Sequence, residues 1–527
     1  MSRRSLSRAG FIIGLVLLIL FKLWLVRGES IVGSATQYDA LWYVRSASHW
    51  YWGTPYDWVA FLRPCAYPLW LALTSWLHFP QRLAIELLQS GAAVVLIVAF
   101  RHLGVSPWVC LGCFLFLSLH PIGFQQNDYT MSDNFYAPLL WYLLGGLLLL
   151  LAHRSWWLAL IAGALIAILW NTREEGILLI VLLAVWAVIF FLREKRASLL
   201  PIAITAGTAV ALVTIIYSIN DRVFHSFARS EMTAPVFQSL YHSLLRIKPA
   251  EPKPYAPITM DTLHRAFAVS PTLAKLRGPL DGPVGEAWRV ETLRRTGTPN
   301  EIGVGWIVWA TRQAAAVEGI FESPAQSRRF FIKASREINA ACDASRLPTR
   351  FVVDGFLDPL VQSGGLRRFP ASIGRIAARV FAQWKITLLQ DDAGLTTTEV
   401  TLYNQIARRN PASRPVRRGL AAALENFISQ YHCVAMFALH LLALAACVRL
   451  LFAGRSRAQY RDAWCAILLL AAAVLSRATL LAWLDATAFD ATQDRFLFPI
   501  LPLWSALLVL VVFLGAATFF RPNERRS

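Results

Sequence analysis

Ten long apolar runs constrain the fold of this 527-residue chain more than any other feature. They fall at 9–26, 82–100, 107–123, 134–152, 155–170, 177–192, 199–218, 431–452, 463–484 and 496–520. A helix rises about 1.5 Å per residue and the hydrocarbon core of a bilayer is roughly 30 Å thick, so about 20 mostly apolar residues make one crossing. With 56% hydrophobic and 16% charged residues, the composition excludes both an ordinary soluble globule and a disordered chain. The sequence predicts an all-α polytopic membrane protein with about ten transmembrane helices and a large, mainly helical extracytoplasmic insert. The expected organisation is an N-terminal membrane region over 1–218 with seven spans, the insert over 219–430, and a C-terminal membrane region over 431–527 with three.

Orientation follows from basic residues near the span ends. Arg3, Arg4 and Arg8 precede the first run; Arg193, Lys195 and Arg196 follow the sixth; Arg455, Arg457 and Arg461 separate the eighth and ninth; Arg521, Arg525 and Arg526 follow the tenth. A count of ten puts all four clusters on one side, with both termini cytoplasmic. The apolar stretch 66–79 is too short to cross and reads as a helix at the outer interface, anchored by Trp70 and Trp76. The first run has a basic flank but no small-residue cleavage site after it, so it reads as an uncleaved anchor.

The insert holds 28 Lys/Arg against 18 Asp/Glu. Long loops are largely exempt from the positive-inside rule, so this excess is compatible with an outer location. Its length suffices for a core of its own. Residues 307–316 and 330–341 have helical spacing, whereas 249–257 and 278–285 read as loops. Its basicity has two readings, a solvated face or attraction to anionic head groups.

Cys110 and Cys113 form a C-x-x-C pair inside an apolar run, where compact packing is the expected role. Cys342 is the only cysteine of the insert, and no His/Cys cluster has zinc-ligand spacing. There is no Walker loop and no strand-linked G-x-G-x-x-G, so a nucleotide cofactor is not supported. Obvious internal repeats of the transporter kind are lacking.

The polar residues beside the runs fall in four clusters: 38–43, 128–133, 171–176 and 490–495. The topology count puts all four on the outer side. Ionisable groups at a membrane are costly unless they pair or line a wet cavity, so their convergence points to a site. The first outer loop, 27–64, surrounds Asp39 with Tyr38, Trp42, Tyr43, Trp50, Tyr51, Trp52, Tyr56 and Trp58, aromatics suited to sugars and to interfaces alike.

The run Tyr38-Asp39-Ala40-Leu41-Trp42-Tyr43, followed by Arg63-Pro64-Cys65-Ala66-Tyr67-Pro68-Leu69-Trp70, resembles the start of bacterial GT-C membrane glycosyltransferases. Those enzymes commonly show an outer-loop Asp and then R-P-P-x-Y-P-L. Thr172-Arg173-Glu174-Glu175-Gly176 resembles their T-R-x-E-G element, and Arg495-Phe496-Leu497-Phe498-Pro499 their R-Y-L-x-P element. The resemblance covers roughly 9–218 and 431–520. Cys65 stands where a second Pro is usual, and Phe496 replaces a Tyr. A single acid in the first loop, rather than an Asp-Glu pair, leaves open a divalent cation and the choice of acceptor. The insert matches none of these motifs.

The resemblance implies an inverting hexosyl- or pentosyltransferase of the cell envelope. The donor would be a polyprenyl-phosphate sugar and the acceptor a glycan, lipid or protein outside the cytoplasm. Membrane lipids are the other expected partners; nucleic acid is not among them. Asp39 is then the candidate base, and Arg173, Arg495 and Arg477 are candidates for the donor phosphate. Tyr38, Tyr43, Tyr67, Asp133 and Glu174 are candidate substrate contacts. Each has a plainer alternative. Arg173 has acidic neighbours in Glu174 and Glu175, and Arg495 in Asp490 and Asp494. Asp133 suits a helix cap, and the glutamates suit a helix start. Arg477 lies inside a run and must snorkel, pair or face a cavity. A transporter or flippase for a lipid-linked or anionic substrate is the competing function, and a noncatalytic envelope protein a third.

Overall fold

The computed structural model describes residues 3–27, 29–31, 37–353, 357–382, 396–408, 419–452 and 461–517. Helices supply the regular structure of these residues. We number those of six residues or more. The N-terminal membrane region contains α1 (Arg3–Leu25), α2 (Gln37–Ala47), α3 (Ala66–Trp76), α4 (Gln81–His102), α5 (Pro107–Ser118), α6 (Pro121–Gln126), α7 (Ser132–His153), α8 (Trp156–Trp170), α9 (Ile177–Glu194) and α10 (Leu199–Phe224). The insert contributes α11 (Pro235–Leu245), α12 (Met260–Val269), α13 (Pro283–Thr296), α14 (Ile307–Val317), α15 (Pro324–Asp343), α16 (Gly365–Ala382) and α17 (Thr397–Ala407). Then come α18 (Gly419–Phe452), α19 (Arg461–Thr487) and α20 (Leu501–Ala517).

Among the described residues, six helical stretches are long and apolar enough to cross a bilayer: α4, α5 with α6, α7, the stretch Leu178–Phe224, α18 and α19. Ala9–Leu25, α8 and α20 are apolar but shorter. This is the architecture of an all-α, multi-pass membrane protein. The 107–123 run is broken between α5 and α6, where Pro121 removes a backbone donor and the His120 ring accepts from the Ile122 amide at 3.2 Å. The 66–79 stretch forms α3, which buries Tyr67, Leu71 and Ala72 against the bundle and exposes Leu73, Trp76 and Leu77.

Polar contacts define the two ends of the bundle. Arg193 pairs with Asp462 at 2.7 Å, Arg154 with Glu194 at 2.8 Å, and the rings of His102 and His153 lie within hydrogen-bond reach at 3.0 Å. These contacts gather the ends of α4, α7, α9 and α19. The clusters around Asp39, Asp133 and Arg173 lie at the opposite end. Of the basic residues used for orientation, Arg455, Arg457, Arg521, Arg525 and Arg526, and the side chains of Arg3, Arg4 and Arg8, lie outside the described residues.

The insert packs in two parts. Helices α11 to α15 bury Phe237, Leu244, Trp288, Phe331 and Ile338 in one core, which also takes in Trp42, Val59 and Leu62 of the first loop. Helices α16 and α17 instead place Ile376, Val380, Tyr403 and Ile406 in the core of the membrane bundle. Salt bridges reinforce the return: Arg375 pairs with Asp485 at 2.5 Å and Arg379 pairs with Asp494. The 307–316 and 330–341 stretches are helical, within α14 and α15. The 278–285 stretch is not a loop. It holds a short helix, Arg277–Asp281, and the first turn of α13, because Pro279 and Pro283 sit in first turns whose amides need no helical partner.

Helices α8 and α10 approach closely. A Cβ on Gly163 would lie 2.6 Å from both the Thr205 carbonyl oxygen and the Thr208 Cβ. Gly163→Leu is expected to pry the pair apart and lower stability in detergent by about 1–3 kcal/mol. An unchanged melting temperature would show that this crossing tolerates a side chain.

Beside the bundle axis, α1, α4 and the turn before α7 meet around a buried ionic network. Arg82 pairs with Glu29, with Glu86 at 2.5 Å and with Asp128 at 2.8 Å, while Lys22 lies 3.6 Å from Glu86. Asn127 donates to Glu86 at 3.0 Å and to Gln89 at 2.5 Å. This network fixes the 127–128 turn, five residues ahead of Asp133.

Candidate active site

Four helix starts or turns deliver the polar residues to one end of the bundle. Asp39 lies in the first turn of α2, where a carboxylate complements the helix dipole. Arg63 sits three residues before α3. Ser132 and Asp133 open α7, whose N-cap is Met131, so Asp133 is free of the capping role and turns inward. Arg173 and Glu174 occupy the turn between α8 and α9. Gly176 is required there by close packing: a Cβ would lie 2.8 Å from the Trp170 ring and 2.9 Å from an Arg229 nitrogen. Arg229 in turn donates to the carbonyls of Trp170 at 3.1 Å and Glu174 at 2.7 Å.

Two adjoining charge groups result. In the first, Arg63 binds Asp39 at 2.5 Å and reaches Glu174 at 3.4 Å. In the second, Arg173 binds Asp133 at 2.5 Å and donates to Ser132 at 3.1 Å. Tyr43 donates to the same Ser132 hydroxyl at 3.0 Å, which joins α2 to α7. Arg477 lies 3.6 Å from the other Asp133 oxygen and donates to the Phe496 carbonyl at 3.2 and 3.3 Å. Phe496 therefore contributes its backbone carbonyl to this group.

Arg495 differs from the other three arginines. Its expected neighbours are otherwise engaged: Asp494 pairs with Arg379, and Asp490 accepts from Thr492 at 2.6 Å. Among the described residues the Arg495 guanidinium has no ion-pair partner; it lies 4.4 Å over the Phe496 ring, and its Nε is shielded from solvent without a hydrogen bond. Burial pulls Arg495 below the usual guanidinium range, with the carboxylates of Asp39 and Asp133 opposing. Burial would raise Asp39, but the charges of Arg63 and Arg495 hold it below the usual carboxylate value. Burial pushes the Tyr43 hydroxyl up to about 12, so it serves as a donor.

The expected site residues thus largely converge. Asp39, Arg173, Arg495, Arg477, Tyr43, Asp133 and Glu174 form one connected region. Tyr67 is buried edge-on to Tyr43 at 5.0 Å, where it supports that ring. The side chains of Tyr38 and Glu175 lie outside the described residues. Arg173 takes Asp133, not an adjacent glutamate, as its partner, and Glu174 turns to Arg63. Asp128 belongs to the buried Arg82 network. Cys65 is buried at the start of α3, and burial pushes its thiol up to about 12.

Sequence reasoning assigned no role to Arg63, Ser132 or Trp309. Arg63 was visible inside a motif, and Ser132 inside a polar cluster. Trp309, whose ring lies 4.9 Å from the Arg63 guanidinium carbon, comes from the insert and had no local signal. Among the described residues, no group of three or more His, Cys, Asp or Glu side chains is arranged to hold a metal ion. No protein-family model, curated protein or solved structure matches the chain.

Proposed function

We propose that this protein is a ten-span inverting glycosyltransferase of the cell membrane. It moves a sugar from a polyprenyl-phosphate donor to an extracytoplasmic glycan, lipid or protein acceptor. The observation that carries this reading is the Arg495 guanidinium, without an ion-pair partner among the described residues and set in the field of Asp39, Asp133 and Arg173. A buried arginine without an acid is suited to an anionic ligand, and a planar guanidinium matches a phosphate. Asp39 provides the complementary function. It stays ionised and accepts the proton of the acceptor hydroxyl as that oxygen bonds to the anomeric carbon. The bond from that carbon to the phosphate oxygen breaks on the opposite face, and the lipid phosphate leaves with the electron pair. Arg495 and Arg173 stabilise the charge that develops on it.

The test is transfer from a panel of radiolabelled polyprenyl-phosphate sugars in membranes carrying the protein, with total lipid and envelope glycans as acceptors. Arg495→Ala is expected to lower kcat/KM about 100-fold, consistent with the loss of one preorganised charge contact, and Arg495→Lys less. Absence of transfer from every donor, with inserted and folded protein, would reject the reading. The second reading, a transporter or flippase, draws on the buried Arg82 network and the broken α5–α6 helix, both typical of a substrate path. Donor movement across reconstituted vesicles without sugar transfer would favour it.

A further inference from the structure

Helix α14 belongs to the insert, yet it reaches the first loop of the membrane region. Trp309 and Arg312, three residues apart, lie on one helix face. Trp309 is buried, 5.8 Å from Trp42 between ring centres, and covers the guanidinium of Arg63. Trp42 meets Trp58 edge-on at 5.4 Å. Arg312 is fully buried; it donates to the Trp58 carbonyl at 2.9 and 2.7 Å and to the Ala60 carbonyl at 3.2 Å, and it pairs with Glu231 at 3.3 Å. Val59 and Leu62 complete the attachment by joining the insert core. The residues just ahead of Arg63 are thus built into the insert.

This arrangement steadies a bridge. Arg63 spans two carboxylates through separate nitrogens, Nη2 to Asp39 at 2.5 Å and Nη1 to Glu174 at 3.4 Å, and a flexible arginine left unsupported can swing towards either one. An indole ring over one face of the guanidinium favours one placement. Fixing the backbone at Trp58 and Ala60 limits how far Arg63 swings. We infer that the insert is an integral part of the active site, with Trp309 and Arg312 as positioning residues that hold Arg63 against Asp39. The role of Asp39 in transfer rests on the glycosyltransferase reading; the clamp itself does not.

The groups facing Asp39 are Arg63 from the loop, Arg495 from the Asp494–Leu497 helix, Arg173 from the turn before α9 and Tyr43 on α2, while Glu174 faces Arg63 and Tyr43. Of these, α14 touches Arg63, through the Trp309 ring. Loosening the clamp therefore weakens one cation at Asp39, and the carboxyl takes up a proton at higher pH.

Dicyclohexylcarbodiimide reacts with protonated carboxyl groups, and labelling of the Asp39 peptide can be followed by mass spectrometry on the full-length protein between about pH 4 and about pH 8. Trp309→Leu is expected to raise the labelling rate of Asp39 about tenfold at a fixed pH, equivalent to about one pH unit. Trp309→Phe, which restores a ring face, should stay within about twofold of wild type. Arg312→Lys keeps a charge for Glu231 but loses the fork to two carbonyls, and it should raise labelling severalfold. In the transfer assay, Trp309→Leu should lower kcat about tenfold with KM for the donor little changed. Superimposable labelling curves for wild type, Trp309→Leu and Arg312→Lys would overturn the inference. A wild type without transfer activity would reject the glycosyltransferase reading, while the labelling curves would still decide the clamp.

Discussion

Asp39→Asn should lower sugar transfer about 100- to 10,000-fold while the protein remains folded and inserted in the membrane. The amide is nearly the same shape as the carboxylate but cannot accept the acceptor proton. Arg63 keeps a partner in Glu174, 3.4 Å away, so the variant removes the proposed base without exposing an unpaired arginine. Burial opposes ionisation of Asp39, yet Arg63 and Arg495 hold it below the usual carboxylate range. The acid limb of the pH–rate profile is therefore expected below that range. The same shift has a stability consequence with a defined sign. A carboxyl depressed in the folded state stabilises above its unfolded value and loses that contribution as pH falls through its folded value. Asp39→Asn should accordingly be slightly less stable than wild type at neutral pH, and the difference should vanish in acid. Wild-type turnover in the purified variant would remove Asp39 from the mechanism.

Arg82→Ala should cost about 3–5 kcal/mol of stability, read as a large drop in melting temperature in detergent. Arg82 contacts Glu29, Glu86 and Asp128, and its side chain is 5% exposed. Its removal takes one cation from beside three carboxylates, of which Glu86 still has Lys22 at 3.6 Å. Breaking a buried network from one side is costly because the desolvated charges left behind are less well compensated. Glu86→Gln, which keeps the shape and removes one charge, should cost less. Equal stability of Arg82→Ala and wild type would mean that water or a proton readily replaces the arginine.

Several features were legible because they depend on local sequence. The apolar runs became helices α1, α4, α5, α7 to α10 and α18 to α20, since span length and hydropathy are properties of consecutive residues. The eleven-residue α3 followed from a run too short to cross. Asp39, Arg173 and Arg495 stood out because charge beside an apolar run is costly and thus conspicuous. The break at His120 was less visible, as Pro121 sits inside a continuous apolar pattern. The helical form of 278–285 was masked by Gly and Pro, which also mark helix starts.

Pairing was not legible. Asp128 and Asp133 are five residues apart, yet one faces Arg82 in the buried network and the other faces Arg173 and Arg477. Arg173 stands next to two glutamates and binds an aspartate 40 positions earlier. Trp309 reaches Arg63 across nearly half the chain. By itself the sequence determined an all-α membrane protein with polar clusters at the helix ends, because bilayer solvation acts on each segment separately. Only the tertiary structure decided which charges neutralise one another, that Arg495 keeps its guanidinium without an acid among the described residues, and that Trp309 and Arg312 of the insert reach Arg63 and the loop ahead of it. Those outcomes depend on distances between segments remote in sequence, and electrostatic pairing acts through space.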